Sequence, residues 1–571
     1  MKMITFRKEE EALRSGNMRF RDQIKIMAKP ELGFIKAIII NTLAMSLLGL
    51  AVPIAIQSII NNIGVRTLIQ PIVVMSLMLL FILGFSNVLQ VIQTYTIEIL
   101  RRRLFIRYGF VVMERLERYV TENYRKINSS ALINRYFDIV IMQSSMVNFF
   151  VEGAAFIIMF VIGFTLLGFY HPYFLLFGLF MVAFLVVDWL IFGLDGIAAG
   201  SPEADGKYKA EEWMEQVGHS RHLFLSKGAR AFSSSKLTKL MNDWLVVRND
   251  LFTFQFRQHI GLQIFSSLVN VLLVFLGSIL VLRGQLSVGQ LVAAALVLSN
   301  IVANVGRLQS FFTSVYDYST SLDKIAEFYD HPLEDDTSIL LPDNYHIKFD
   351  QVKLSPNYHF NFEFSEGTKN YILIKSFSAK NKLMEFCYGL TNPDSGKILL
   401  GGKLLDDLDK AGFRDQFLII DQDHFFHGTV AENLVGFLPE GLRPSLTEID
   451  AALEKVGLDE LIRAMPEGIN TMILPHGHPL SKSQLLALQV AKAILLKPRI
   501  VIVTTDFEHI STEKRMKCLK VLTDKSSSWT LLFFSQKNQK DKFDHYYALS
   551  RDKLKTFPTK DELLKELAQD E

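Results

Sequence analysis

Six apolar runs, each long enough to cross a bilayer, crowd into the first half of this chain, near 34–60, 71–95, 149–170, 173–193, 260–282 and 288–310. A hydrocarbon core about 30 Å thick needs roughly 20 apolar residues of helix. After residue 325 no run of that length recurs. The sixth is the least apolar, with Asn300, Asn304 and Arg307 in or near it. The fold is therefore a membrane-embedded helical domain followed by a domain of ordinary polarity. Composition agrees: 49% of the 571 residues are hydrophobic, 45 are Phe, and only 21% are charged. A net charge of +2 gives no basic field for nucleic acid.

The connections alternate in length. After runs 1, 3 and 5 they are short, at 61–70, 170–173 and 283–287; after runs 2 and 4 they are long, at 95–149 and 193–260. Positive residues gather on the long ones, as RRRLFIR (101–107) and as Lys207, Lys209, Arg221, Lys227, Arg230, Lys236 and Lys239. The bias of Lys and Arg places them in the cytosol, and six crossings then put both termini there. The long connections read as helical extensions of the membrane runs. Glu152 and Asp188 fall within the apolar runs. A charge there marks a pathway or a partner; both lie near the expected cytosolic boundary, which favours an interfacial or helix-paired carboxylate.

The first residues, 1–32, mix charges of both signs and hold no apolar core of signal-peptide length, so they read as a cytosolic lead-in. The expected organisation is a lead-in at 1–32, a six-span domain at 33–325, a linker at 326–345, an α/β domain at 346–560 and a polar tail at 561–571. Cys387 and Cys518 both fall in the polar domain and suggest a reducing compartment.

In the α/β part, HIKFDQVKL and HFNFEFSEGTKNYILIKS alternate as strands about a Glu-Gly turn, and a helix follows at 381–390. PDSGKILLGG (393–402) resembles the turn and strand that follow the phosphate loop of ATP-binding cassette (ABC) transporters. Residues 346–560 resemble that family's nucleotide-binding domain, a P-loop-NTPase-like α/β fold. The six runs with two long cytosolic extensions resemble its exporter-type membrane domain, so the resemblance covers nearly the whole chain.

What the resemblance implies for function depends on which residues stand at the family's positions. The phosphate loop maps to ILIKSFSAKNK (372–382). Its glycines fall on Ile374, Phe377 and Ala379, its lysine is kept as Lys380, and its Mg²⁺-binding hydroxyl falls on Asn381. Backbone N–H groups close round a phosphate only where no Cβ intervenes, so these residues argue against an ordinary cradle. Tyr358 lies near the adenine-stacking position. Gln422 matches the glutamine of the coupling loop, and Gly428–Asn433 (GTVAEN) matches the segment after it. The signature turn maps to LSKSQ (480–484). Ser481 and Gln484 are kept there, and Lys482 and Ser483 replace glycines; Ser481 meets a partner's phosphate or simply caps a helix. The two strand-end acids map to Thr504 and Thr505 in KPRIVIVTTD, and the histidine after the next strand maps to Gln536.

Threonine cannot hold Mg²⁺ as a carboxylate does, and glutamine carries no positive charge. Asp506, one residue beyond the pair, is expected to face the other side of the strand, and Glu508 to lie on the surface. The resemblance implies ATP and Mg²⁺; the residues argue against Mg²⁺ in this chain's own site and leave ATP binding open. His424, His427, His476 and His478 lack a completed ligand set. The expected protein is a multi-pass half-transporter of a bacterial inner membrane, silent at its own site. It works as a heterodimer with an ATP-hydrolysing ABC chain, or as a homodimer. The alternatives are a non-transporting scaffold or regulator and a nucleotide switch without hydrolysis. The stretch before run 1 gives no sign of a leader-trimming peptidase, and span composition does not choose a substrate.

Overall fold

The computed structural model describes residues 29–64, 69–121, 129–334, 340–355, 358–537, 542–550 and 553–563. The lead-in before Lys29, the tail after Leu563, and the side chains of Asn304 and Arg307 lie outside the described residues. The chain divides into two compact units, Met1–Leu333 and Glu334–Glu571.

Among its described residues the first unit is built from helices. Its helices are α1 (Leu32–Gly49), α2 (Ala51–Gly64), α3 (Ile69–Arg118), α4 (Ser129–Asn134), α5 (Asp138–Tyr170), α6 (Tyr173–Asp188), α7 (Leu194–His219), α8 (Lys227–Leu282) and α9 (Val288–Ala326). Among the described residues five helical stretches are long and apolar enough to span a membrane, and Val288–Ile301 is a shorter apolar helix. Run 1 is broken between α1 and α2 at Leu50. Pro53, in the first turn of α2, has no N–H to continue the ladder across that point. The long connections are helical, as α3 runs on to Arg118 and α8 begins at Lys227. A π-helical turn, Trp189–Gly193, links α6 to α7.

Packing in this unit uses small residues where helices meet. A Cβ on Gly163 would lie 2.9 Å from Ile301, and one on Gly153 would lie 2.8 Å from the Phe311 ring, so α5 and α9 approach closely only with glycine there. The carboxylates in the apolar runs are helix-paired: Gln258 donates to Asp188 (3.0 Å) and accepts from the Tyr316 hydroxyl (2.9 Å), and Ser310 donates to Glu152 (2.8 Å). At the end of α3, Arg115 is buried and donates to the carbonyls of Phe328 (2.8 Å) and Tyr329 (3.3 Å).

The second unit is α/β. A six-stranded sheet has the order β12-β11-β3-β10-β9-β6. Its strands are β3 (Lys369–Ile374), β6 (Phe417–Ile420), β9 (Ile500–Val503), β10 (Thr530–Ser535), β11 (His545–Leu549) and β12 (Leu554–Phe557). All pairs are parallel except β11 with β12. A four-stranded antiparallel sheet, β2-β1-β4-β5, joins β1 (Ile347–Leu354), β2 (Tyr358–Phe364), β4 (Ser395–Leu400) and β5 (Lys403–Leu404). β7 (Gly428–Thr429) pairs with β8 (Met472–Ile473).

The helices are α10 (Phe377–Cys387), α11 (Lys410–Arg414), α12 (Val430–Val435), α13 (Leu446–Val456), α14 (Asp459–Arg463), α15 (Lys482–Leu496) and α16 (Thr512–Leu522). One apolar core lies under α12, α13, α15 and α16, with Phe507 and Phe533 at its heart; the other joins α10 to the antiparallel sheet around Phe349, Phe360 and Phe386.

Among the described residues, two lysines in this unit are buried. Lys369 donates to the carbonyls of Ser527 and Trp529. Lys492, on α15, sits 3.9 Å from the centre of the Phe437 ring. Burial holds both ammonium groups down to about 8 from 10.5, against a partial opposing pull on Lys369 from Asp544 and Asp524. A lysine depressed in the folded state binds fewer protons there than in the unfolded chain between those values, so folding stability rises with pH across that window. Lys492→Met is therefore expected to flatten the rise of melting temperature from pH 8 to 10.5. It should also stabilise the chain at pH 7 by on the order of 1 kcal/mol; melts across that range check both.

Candidate functional site

In an open parallel sheet, ligands bind beyond the carboxyl ends of the strands. β3, β10, β9 and β6 lie side by side and parallel here, so their ends deliver four segments to one edge. These are Lys375–Lys380, Gln536, Thr504–Glu508 and Asp421–His424. The fold itself thus brings together Lys380, Thr504, Thr505, Gln536 and Gln422, which are remote in sequence.

The segment after β3 departs from expectation. The helix was expected to begin at 381; it begins at Phe377. Ser376 caps it, accepting from the N–H of Ala379 (3.4 Å), and the N–H of Lys380 already donates to the carbonyl of Ser376 (3.1 Å). No glycine stands in this segment, and after the serine cap the backbone winds directly into a helical turn. Ile374 and Ala379 are buried in the second core, whereas Phe377 is 51% exposed. Asn381 is exposed. Lys382 turns to its own helix and pairs with Glu385 (2.8 Å), which also accepts from Thr391 (3.0 Å).

Lys380 is half-buried, with its ammonium 5.7 Å from the centre of the Phe377 ring. Burial lowers its pKa below the ordinary lysine value, against an opposing pull from Asp506 and Asp421. Those two carboxylates are the internal anions acting on Lys380.

Thr504 is 3% exposed, and its hydroxyl donates to the carbonyl of Ile420 (3.3 Å) and to Asp506 (3.4 Å). Thr505 opens a 3₁₀ turn, Thr505–His509. That turn corrects both expectations for the nearby acids. β9 ends at Val503, so strand alternation no longer governs Asp506, whose carboxylate faces the same edge and accepts from the Gln422 N–H (3.4 Å). Glu508 is not a surface residue. Its side chain is 9% exposed and accepts from the Ser535 hydroxyl (2.8 Å) and the Gln536 N–H (2.7 Å). Sequence reasoning missed both roles because it extended the strand past its end. The signal was present in the apolar Phe507 between the two acids, which is fully buried.

Asp421 is the other residue that the sequence did not single out. Burial pushes its carboxyl up, yet the His424 ring and the N–H groups of Asp423 (2.9 Å) and His424 (3.0 Å) together hold it below the usual range. Gln489 of α15 clamps its backbone: the Asp421 N–H donates to the side-chain oxygen (2.9 Å), and the side-chain amide donates to the Asp421 carbonyl (2.6 Å).

In LSKSQ (480–484), Ser481 and Gln484 form a reciprocal cap on α15. Lys482 donates to the side chain of Gln422 (3.0 Å), and Ser483 accepts from the Ser511 N–H (3.3 Å). Tyr358 begins β2 opposite Leu354 and packs at the fringe of the second core. In the Gly428–Asn433 segment, Thr429 and Glu432 cap α12 reciprocally, and Asn433 bonds to both backbone groups of Phe426. Among the described residues no group of three or more His, Cys, Asp or Glu is arranged to hold a metal.

Residues 358–503 match the ABC transporter family. The leukotoxin export ATP-binding protein LtxB of Aggregatibacter actinomycetemcomitans is 28% identical over 252 residues, covering 42% of this chain and 35% of that protein. The α-hemolysin translocation ATP-binding protein HlyB of Escherichia coli O157:H7 is 25% identical, with the same coverage. The transport/processing ATP-binding protein ComA of Streptococcus pneumoniae is 26% identical over 284 residues, covering 47% of this chain and 39% of that protein. The matched region thus spans well under half the length of these relatives. A solved bacterial Atm1-family ABC exporter with ATP bound has the same fold, with a TM-score of 0.78 and 16% identity over 95% of this chain and 96% of that one.

Ser481→Ala removes one half of the α15 cap while leaving Lys482 in place. It is expected to destabilise the chain by about 0.5–2 kcal/mol, read as a lowered melting temperature.

Proposed function

With the fold of an exporter-type ABC transporter as premise, a helical membrane domain followed by an ABC domain, we propose that this chain is a half-transporter subunit silent at its own ATP site. It works beside a second, ATP-hydrolysing ABC chain in a bacterial inner membrane, with both termini in the cytosol. The observation that carries the reading is the state of the sheet edge. Thr504 and Thr505 follow β9, Gln536 follows β10, and the segment after β3 is wound into helix α10 instead of an open cradle. Removing one preorganised group from such a site commonly costs roughly 10²–10³ in rate, and here the Mg²⁺ ligand, the water-orienting acid, the glycines and the histidine are all replaced. The surrounding core is intact, with all four side chains of β9 buried.

A cassette that keeps its fold and loses its chemistry still offers its partner a surface. The partner's phosphate loop would face Ser481 and Lys482 of this chain, so one composite site operates per pair. ATP and Mg²⁺ then belong to the partner's site. The transported substrate is set by the membrane domains of both chains.

The full chain purified alone in lipid nanodiscs is expected to hydrolyse no MgATP above background. Purification from its native membrane should yield a second ABC chain, and replacing that chain's strand-end glutamate should abolish the activity of the pair. Mg²⁺-dependent turnover near 1 s⁻¹ by the lone chain, within the ordinary enzyme range, would refute the silent site. A stable homodimer with no second ABC chain would refute the partnership.

A further inference from the structure

Loops beyond the carboxyl ends of parallel strands are where a ligand normally supplies the missing hydrogen-bond partners. In this chain the partners come from within. The turn after β9 opens on two threonines and carries two carboxylates beyond them, which reach sideways in opposite directions. Glu508 gathers the Ser535 hydroxyl and the Gln536 N–H on the β10 side, and the Tyr371 hydroxyl closes the same loop by donating to the Lys537 carbonyl (2.5 Å). Asp506 gathers the Gln422 N–H on the β6 side. Phe507 between them is fully buried against Phe533 and fixes the turn to the sheet. Lys482 then ties the start of α15 to the Gln422 side chain, and Gln489 clamps the residue before it.

We propose that the turn 504–509 is a nucleotide-independent brace: Glu508 and Asp506 hold the Gln536 and Gln422 loops, and Lys482 fastens helix α15 to the second of them, so that these segments keep one arrangement with no ligand between them. The chemistry is a redeployment. Carboxylates that would bind Mg²⁺ and orient water at the strand end stand two to three residues later, as acceptors for neighbouring backbone N–H groups. The helices between β6 and β9 leave the sheet through the 421–424 loop, so fixing that loop also fixes how α15 sits on the sheet. Hydrogen bonds to charged acceptors are the stronger class, and they persist without a cofactor.

The brace extends the reading of a silent site and does not need a partner chain. Its test is amide hydrogen exchange of the full chain in nanodiscs, followed in peptides covering 417–426 and 530–537. In the unsubstituted chain both segments are expected to be protected, and equally so with and without millimolar MgATP. Glu508→Ala should speed exchange at Gln536 by roughly tenfold, and Asp506→Ala combined with Lys482→Ala should do the same at Gln422. Peptides from β4 should stay unchanged in both. Should Glu508→Ala lose its cooperative melt, the surface change Lys482→Ala and the isosteric Glu508→Gln decide the matter. Lys482→Ala should loosen 417–426, and Glu508→Gln should speed exchange at Gln536 by less than the alanine. MgATP-induced protection in the unsubstituted chain would overturn the brace, as would unchanged exchange in the variants. A lone chain without ATPase activity whose variants exchange normally would sink the brace and spare the silent site.

Discussion

Parallel pairing of β9 between β10 and β6 is the constraint on which the second unit depends. Ile500–Val503 is buried on both faces and bonded on both edges, so its carboxyl end is fixed in space whatever residues follow it. Its neighbours end at the same edge for the same reason. That placement collects four loops at one line, and whatever those loops carry becomes a site or a structural junction. In this chain the residues at the line are threonines, a glutamine and a capped helix start, and the hydrogen bonds they form run within the chain.

Two consequences separate core from site. Core positions answer to volume and polarity, so the strands and the two apolar clusters persist. Positions in the loops at the sheet edge answer less to packing, and local preferences shape their backbone. The clearest case is Ser376–Lys380. With no glycine there, a serine cap and four ordinary residues make a stable first helical turn, and the backbone takes it. Asp421 behaves similarly: its carboxylate turns inward onto the N–H groups of Asp423 and His424, and Lys380 is left facing protein anions.

In the membrane unit the controlling term is different. Backbone groups satisfy themselves within helices, so the apolar runs were readable from hydropathy, and the long helical extensions from the length and composition of the loops. The break at Leu50 was also available in principle, from Pro53. The polar pairs Asp188–Gln258 and Glu152–Ser310 were not, since each joins helices distant in sequence; only their inward-facing character followed from the cost of a bare charge in lipid.

The sequence by itself determined the membrane-then-α/β order, the presence of a strand in KPRIVIVTTD, the helix behind LSKSQ and its cap, and the lack of glycine in 372–382. These follow from local periodicity, capping and motif spacing, which act over a few residues. Tertiary structure alone decided what Asp506, Glu508, Asp421 and Lys482 do. Pleat alternation failed for the two acids because the strand stops at Val503, and a strand's end is set by its neighbours' pairing and by Phe507 burying itself in the core. Lys482 and Gln489 find the 421–424 loop across some sixty residues of chain, a meeting that no local pattern encodes.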